Sequence, residues 1–150
     1  IIGSIIMIYV FESFYQILMQ FLPEKFQFND TENNKDIAKM FTHGWLVPFL
    51  FLDIVILTPF VEELIFRHLI IHELGKKFNL LVMMIVSVLI ETIVQVYDLI
   101  SILEAIPYMI ISIGAVMVYM KSGKNLAASY LYHSTVQLII FIITMIDKLV

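Results

Sequence analysis

The chain has 150 residues, of which 61% are hydrophobic and 15% charged, with a formal charge of −4 and a mean hydropathy of +0.94. A soluble domain of this size needs a polar shell that such a composition cannot supply, and no basic patch interleaved with aromatics points to nucleic acid. The absence of cysteine excludes disulfides, zinc–thiolate sites and thiol catalysis.

A hydrocarbon core about 30 Å thick takes about 20 apolar residues per helix. Backbone groups in lipid must be paired internally, which leaves helices or a closed barrel. The apolar runs are too long and continuous for barrel strands, which alternate over about 10 residues. The expectation is therefore an all-α, polytopic transmembrane helical bundle with about five spans, one transmembrane domain over 1–150. Because the chain begins Ile1-Ile2-Gly3 without an initiator methionine, we expect it to be a fragment of a longer protein.

The first predicted span covers about 1–22 and ends at Pro23; it lacks the basic flank and small-residue cleavage pattern of a signal peptide. A polar connector over 24–42, containing Asn29-Asp30-Thr31-Glu32-Asn33-Asn34, has the composition of a solvated loop. The second span, about 45–74, is interrupted by Pro48 and Pro59 and stops at Gly75-Lys76-Lys77. Within it, Glu62 and Glu63 are adjacent carboxylates in an apolar helix, a costly arrangement that is functional or paired. Glu63 and Arg67 stand four apart on one face and can form an ion pair. Glu62 points about 100° away and is left available as a general base. A structural charge network of Glu62, Glu63 and Arg67 holding helices together is the competing reading.

The third predicted span, about 78–97, places Glu91 and Gln95 four apart, facing the bundle interior, where interhelical hydrogen bonding alone would explain them. A short break at 98–104 leads into the fourth span, about 102–120, and Lys121-Ser122-Gly123-Lys124 is a tight connector. The fifth span, about 125–146, carries His133 and Gln137 on one face. An imidazole and a carboxamide at that spacing can bind a water, polarise a carbonyl or stabilise an oxyanion. A plain interhelical histidine is the alternative. His43, His68, His72 and Glu73 read as headgroup-level residues, and without an HExxH spacing no dedicated zinc site is assigned. Lys76/Lys77 and Lys121/Lys124 follow the second and fourth spans, so they belong on one side, the cytoplasmic one under the positive-inside rule.

These motifs resemble those of the CPBP group of intramembrane proteases, which includes the CAAX prenyl endopeptidases and the bacteriocin-processing or immunity proteins also called Abi proteins. Glu62, Glu63 and Arg67, preceded by Thr58-Pro59, match its Glu-Glu-x-x-x-Arg motif. His133 with Gln137 approximates its His-x-x-x-Asn motif, and Gly123-Lys124-Asn125-Leu126-Ala127-Ala128 is similar to the family's lead into that helix. The middle motif, Phe-x-x-x-His, departs: Glu91 takes the Phe position and Gln95 the His position, with no histidine between His72 and His133. Gln95 can donate and accept hydrogen bonds but cannot shuttle a proton.

The resemblance covers about 57–138, a CPBP-like protease core, and implies an intramembrane endopeptidase that hydrolyses a peptide bond near the membrane surface. Glu62 would activate a water in a polar cavity among the second, third and fifth helices, with Glu63 and Arg67 as structural support. Gln95 and His133 would orient the water, and His133 with Gln137 would stabilise the oxyanion. The implied partners are a peptide or protein substrate and the lipid bilayer, without nucleic acid; the implied location is the cell membrane, multi-pass. Such families are described both as metalloproteases and as metal-independent glutamate proteases. No metal ligand is assigned, Glu62 and His133 being the ligands if a divalent ion such as zinc is bound. One rival is a catalytically degenerate member acting as a membrane scaffold or bacteriocin self-immunity protein, which Gln95 favours. The other is a transporter using Glu62, Glu63 and Glu91, against which stands the lack of a paired repeat or matched broken helices.

Overall fold

The computed structural model describes residues 39–41, 43–96 and 102–149 together with Ile6 and Ser13. The predicted first span and most of the polar connector lie outside the described residues. Four long helices carry the remainder: α1 (Gly44–Lys76), α2 (Leu80–Gln95), α3 (Ile102–Lys121) and α4 (Leu126–Leu149). No strand occurs among the described residues.

Pro59 shapes the middle of α1. A proline cannot donate to the carbonyl four residues back, here that of Val55, and the ladder beside it widens. Leu52–Leu57 and Leu64–Glu73 are π-helical, and the Thr58 N–H reaches back five residues to the Asp53 carbonyl. The Val55 carbonyl accepts the Ser134 hydroxyl of α4 at 2.7 Å. The α-helical turn Thr58–Glu63, which holds both glutamates, is thus bracketed by widened turns.

The other helices start and stop on local chemistry. Asn79 caps α2, its side chain accepting from the N–H groups of Leu81 and Val82. The chain leaves that helix at Val96, in extended conformation, so α2 is shorter at both ends than the predicted 78–97. The α3–α4 turn closes with the Lys124 N–H on the Tyr119 carbonyl (2.8 Å) and the Gly123 N–H on the Met120 carbonyl (3.3 Å). That pairing is a Schellman motif, which needs a left-handed residue after the helix, and Gly123 supplies φ +73°. The Asn125 side chain then accepts from the Ala127 N–H at 3.0 Å and opens α4.

Cross-helix contacts fix an antiparallel ring. Ser87 of α2 donates to the Phe66 carbonyl of α1, while further along α2 Gln95 meets Glu62 earlier in α1. Along α4, His133, Ser134 and Phe141 meet Glu62/Glu63, Val55 and Phe51 of α1 in reverse order. α3 packs between α2 and α4. Ile71, Tyr119, Val116, Leu80 and Leu126 form one apolar cluster, which brings the ends of α1 and α3 together. The lysine pairs that follow those two ends therefore lie at the same end of the bundle, as the sequence predicted.

Polarity runs inward. Glu63, Arg67, Ser87, Glu91, Ser112, Ser129 and His133 are buried, while Trp45, Phe49, Leu81 and Leu131 are more than 60% exposed. A soluble bundle buries its apolar residues and shows its charges; one that does the reverse has lipid for a solvent. α1 has 33 residues, about 50 Å at 1.5 Å per residue, and the apolar stretch Leu126–Ile146 has 21, so both exceed the hydrocarbon thickness. The 16-residue α2 and the Ala105–Lys121 part of α3 are apolar but shorter.

Candidate active site

Each of the four helices sends a polar side chain into one cluster. α1 contributes Glu62, Glu63 and Arg67; α2 contributes Glu91 and Gln95; α3 contributes Ser112; α4 contributes His133. Glu63, Arg67, Glu91, Ser112 and His133 are all at most 3% exposed. The Glu62 side chain retains 12% exposure and is the most accessible carboxylate of the three.

The His133 imidazole stands between the adjacent glutamates. Its Nδ1 lies 3.1 Å from Glu63 Oε1, and its Nε2 lies 3.4 Å from Glu62 Oε2. The sequence reading turned Glu62 away from the partners of Glu63. The structure corrects this, because one ring has a nitrogen on each side and spans the angle between consecutive helical residues. The other oxygen of Glu62 accepts a hydrogen bond from the Gln95 amide. Glu62 Oε2 itself is buried and accepts no hydrogen bond from the described residues.

Arg67 pairs with Glu63 through Nε and Oε2 at 3.4 Å, as the four-residue spacing anticipated. That contact is not its tightest. Nη1 donates to Glu91 Oε2 at 2.5 Å and Nη2 donates to the Ser112 carbonyl at 3.2 Å. Ser112 Oγ also donates to Glu91 Oε2. Glu91, which the sequence left as an interior hydrogen-bonding residue, is thus the main counter-ion of Arg67. The expected site of three helices also gains a fourth, α3. Nothing in the local sequence marks Ser112, whose hydroxyl gains meaning only from what it faces.

Gln137, one helical turn beyond His133, is half-buried and hydrogen-bonds to no described residue. It shares the helix with the cluster without being tied to it. His68 and His72 lie at the lysine end of α1, their rings stacked 5.6 Å apart, and Glu73 binds Lys76 at 2.7 Å.

The sequence model of the type II CAAX prenyl endopeptidase Rce1-like family matches residues 44–139, nearly two thirds of the chain. The chain belongs to that family. Comparison with curated proteins and with solved structures finds no match. As an Rce1-like chain it is a membrane protein of a protease family, and such a family takes a peptide or protein as substrate. The matched stretch runs from the start of α1 into α4 and includes every residue of the cluster.

The donor set of this Rce1-like site also suits a divalent cation. Glu62, Glu91 and His133 each bring one ligand atom to within 4.8 Å of the others. Two carboxylates and an imidazole are ligands that zinc accepts, and Glu62 Oε2 is a buried oxygen without a hydrogen bond. Glu91 joins Glu62 and His133, the two residues that the sequence offered as ligands in the case that a divalent ion is bound. Three carboxylates stand against one guanidinium and one imidazole here, an excess of negative charge that a cation would offset.

Proposed function

We propose that this chain is an intramembrane endopeptidase that hydrolyses a peptide bond near the membrane surface, with Glu62 as the general base. The observation that carries the reading is the state of Glu62. One of its oxygens is held by Gln95, and the other is buried, without a hydrogen bond, and faces His133 Nε2. A carboxylate aimed in this way can take a proton from a water placed between it and the imidazole. The water oxygen then bonds to the scissile carbonyl carbon, and the carbonyl oxygen gains the negative charge. Gln137 from the next turn, and His133 when its Nε2 also carries a proton, donate toward that oxyanion. Glu62 returns its proton to the leaving amine nitrogen as the carbon–nitrogen bond breaks. Glu63 and Arg67 keep their part in support, and Gln95 holds the base and orients the water. A divalent ion bound by Glu62, His133 and Glu91 would supply Lewis-acid polarisation of the carbonyl. The protein would act as a multi-pass protein of the cell membrane.

A second reading has its own support: Gln95 occupies one oxygen of Glu62 and cannot relay a proton. On that reading the chain is a catalytically degenerate member, a membrane scaffold or a bacteriocin self-immunity protein. A cleavage assay in liposomes on membrane-proximal peptides separates the two. The endopeptidase reading expects cleavage by the wild type and a loss of about 10²- to 10⁴-fold for Glu62→Ala. Cleavage by Gln95→His alone, with none by the wild type, would establish the degenerate reading.

A further inference from the structure

The proton-transfer steps above leave Ser112 without a part and give Glu91 one only where a divalent ion is bound, although both are buried and both touch Arg67. Arg67, the only arginine in the chain, has five N–H donors and no acceptor. Its hydrogen bonds go to Glu91 Oε2 at 2.5 Å and the Ser112 carbonyl at 3.2 Å rather than to Glu63. Toward Glu63 it keeps only a 3.4 Å approach, and neither Arg67 Nε nor Glu63 Oε2 makes a hydrogen bond. Glu63 is therefore not clamped by the guanidinium, and its other oxygen is free to meet His133 Nδ1 at 3.1 Å. A carboxylate only accepts, so the ring donates through Nδ1–H. That orientation directs Nε2 to Glu62 Oε2.

We propose that Glu91 is a positioning residue: with Ser112 it anchors Arg67 and so leaves Glu63 to orient His133 toward Glu62. Without the Glu91 carboxylate, the guanidinium has Glu63 as its nearest remaining anion. Its fork favours a bidentate grip, which would draw Glu63 off the imidazole and release the ring. The consequence for turnover rests on the endopeptidase reading; the placement of His133 does not.

The test therefore begins without substrate. The full chain, labelled with ¹⁵N-histidine in detergent micelles, is examined for the low-field Nδ1–H proton of a carboxylate-bound imidazole. Loss of that signal in His133→Asn assigns it. The wild type and Glu91→Asp retain it, and Glu91→Gln loses it. Glu91→Gln combined with Arg67→Met recovers it, because no guanidinium remains to draw Glu63 away. Should Glu91→Gln fail to fold, Ser112→Ala removes one hydrogen bond and shifts the same resonance in the same direction by less. A resonance indifferent to both Glu91→Gln and Ser112→Ala, or one still missing in the folded double variant, overturns the proposal. In the cleavage assay Ser112→Ala and Glu91→Gln lower kcat by about 10- to 100-fold with KM within about twofold. If the His133 signal responds as expected but the wild type cleaves nothing, the endopeptidase reading falls and the positioning role stands. If the wild type cleaves and the signal is indifferent, the positioning role falls alone.

Discussion

Glu63, Arg67, Glu91 and His133 each meet an opposite or complementary charge in a space that excludes solvent. Such a network is costly to assemble and more costly to break, because removing one partner leaves a buried charge alone. A neutral side chain illustrates the same crowding. The Tyr132 hydroxyl is buried without a hydrogen-bond partner, and Gly114 of α3 leaves room for it. A Cβ at Gly114 would lie 2.8 Å from Tyr132 Cζ and closer still to the hydroxyl. Gly114→Ala should therefore destabilise the bundle by about 1–3 kcal/mol. Tyr132→Phe, which removes the closest overlapping atom but keeps the ring carbon at 2.8 Å, should recover part of that loss. Thermal unfolding in detergent of the two single variants and the double variant measures this. A neutral Gly114→Ala would mean that the helices are not in such close contact.

At the scale of the element, Pro59 ties the shape of α1 to a partner on α4. It removes a donor from the Val55 carbonyl, and Ser134 supplies one across the interface at 2.7 Å. Ser134 neighbours His133, so the same contact that repairs the α1 ladder also sets the depth at which the imidazole enters between Glu62 and Glu63. Ser134→Ala should cost about 1–3 kcal/mol by leaving a buried carbonyl unpaired. In a Pro59→Ala background, where the backbone N–H is restored, the cost of Ser134→Ala should shrink; the double-mutant cycle of unfolding midpoints reads the coupling. Additive losses would show that the two groups do not serve one carbonyl. Pro59 made a helix irregularity legible in the sequence. Which hydroxyl answers it was not, since Ser134 and Thr135 are adjacent and only the packing azimuth selects between them.

For the whole molecule, the antiparallel ring places Lys76/Lys77 and Lys121/Lys124 together at one end. Cysteine-free chains suit single-site labelling. Lys76→Cys and Lys121→Cys should react with a membrane-impermeant thiol reagent from the same face of sealed vesicles, and labelling from opposite faces would refute the helix order. The bundle was readable at this scale because hydropathy is a property of composition and length, and the cost of burying backbone in lipid leaves few alternatives. The predicted spans at 45–74, 102–120 and 125–146 lie close to α1, α3 and α4 for that reason. α2 ended earlier because Asn79 and Val96, rather than hydropathy, mark its limits.

The sequence by itself determined that this chain is helical, that it belongs in a membrane, and that Glu62, Glu63, Arg67, Glu91, Gln95 and His133 lie on apolar helices. Each of those follows from residues near one another in the chain. Only the tertiary structure decided the pairings: Arg67 with Glu91 across 24 positions, its reach of 45 positions to Ser112, and His133 between two glutamates 70 and 71 positions away. Helical spacing constrains neighbours four residues apart and says nothing about which helix comes to face which. The partner of a buried charge is set by the rotation and depth of packed helices, and those are settled when all four are in place.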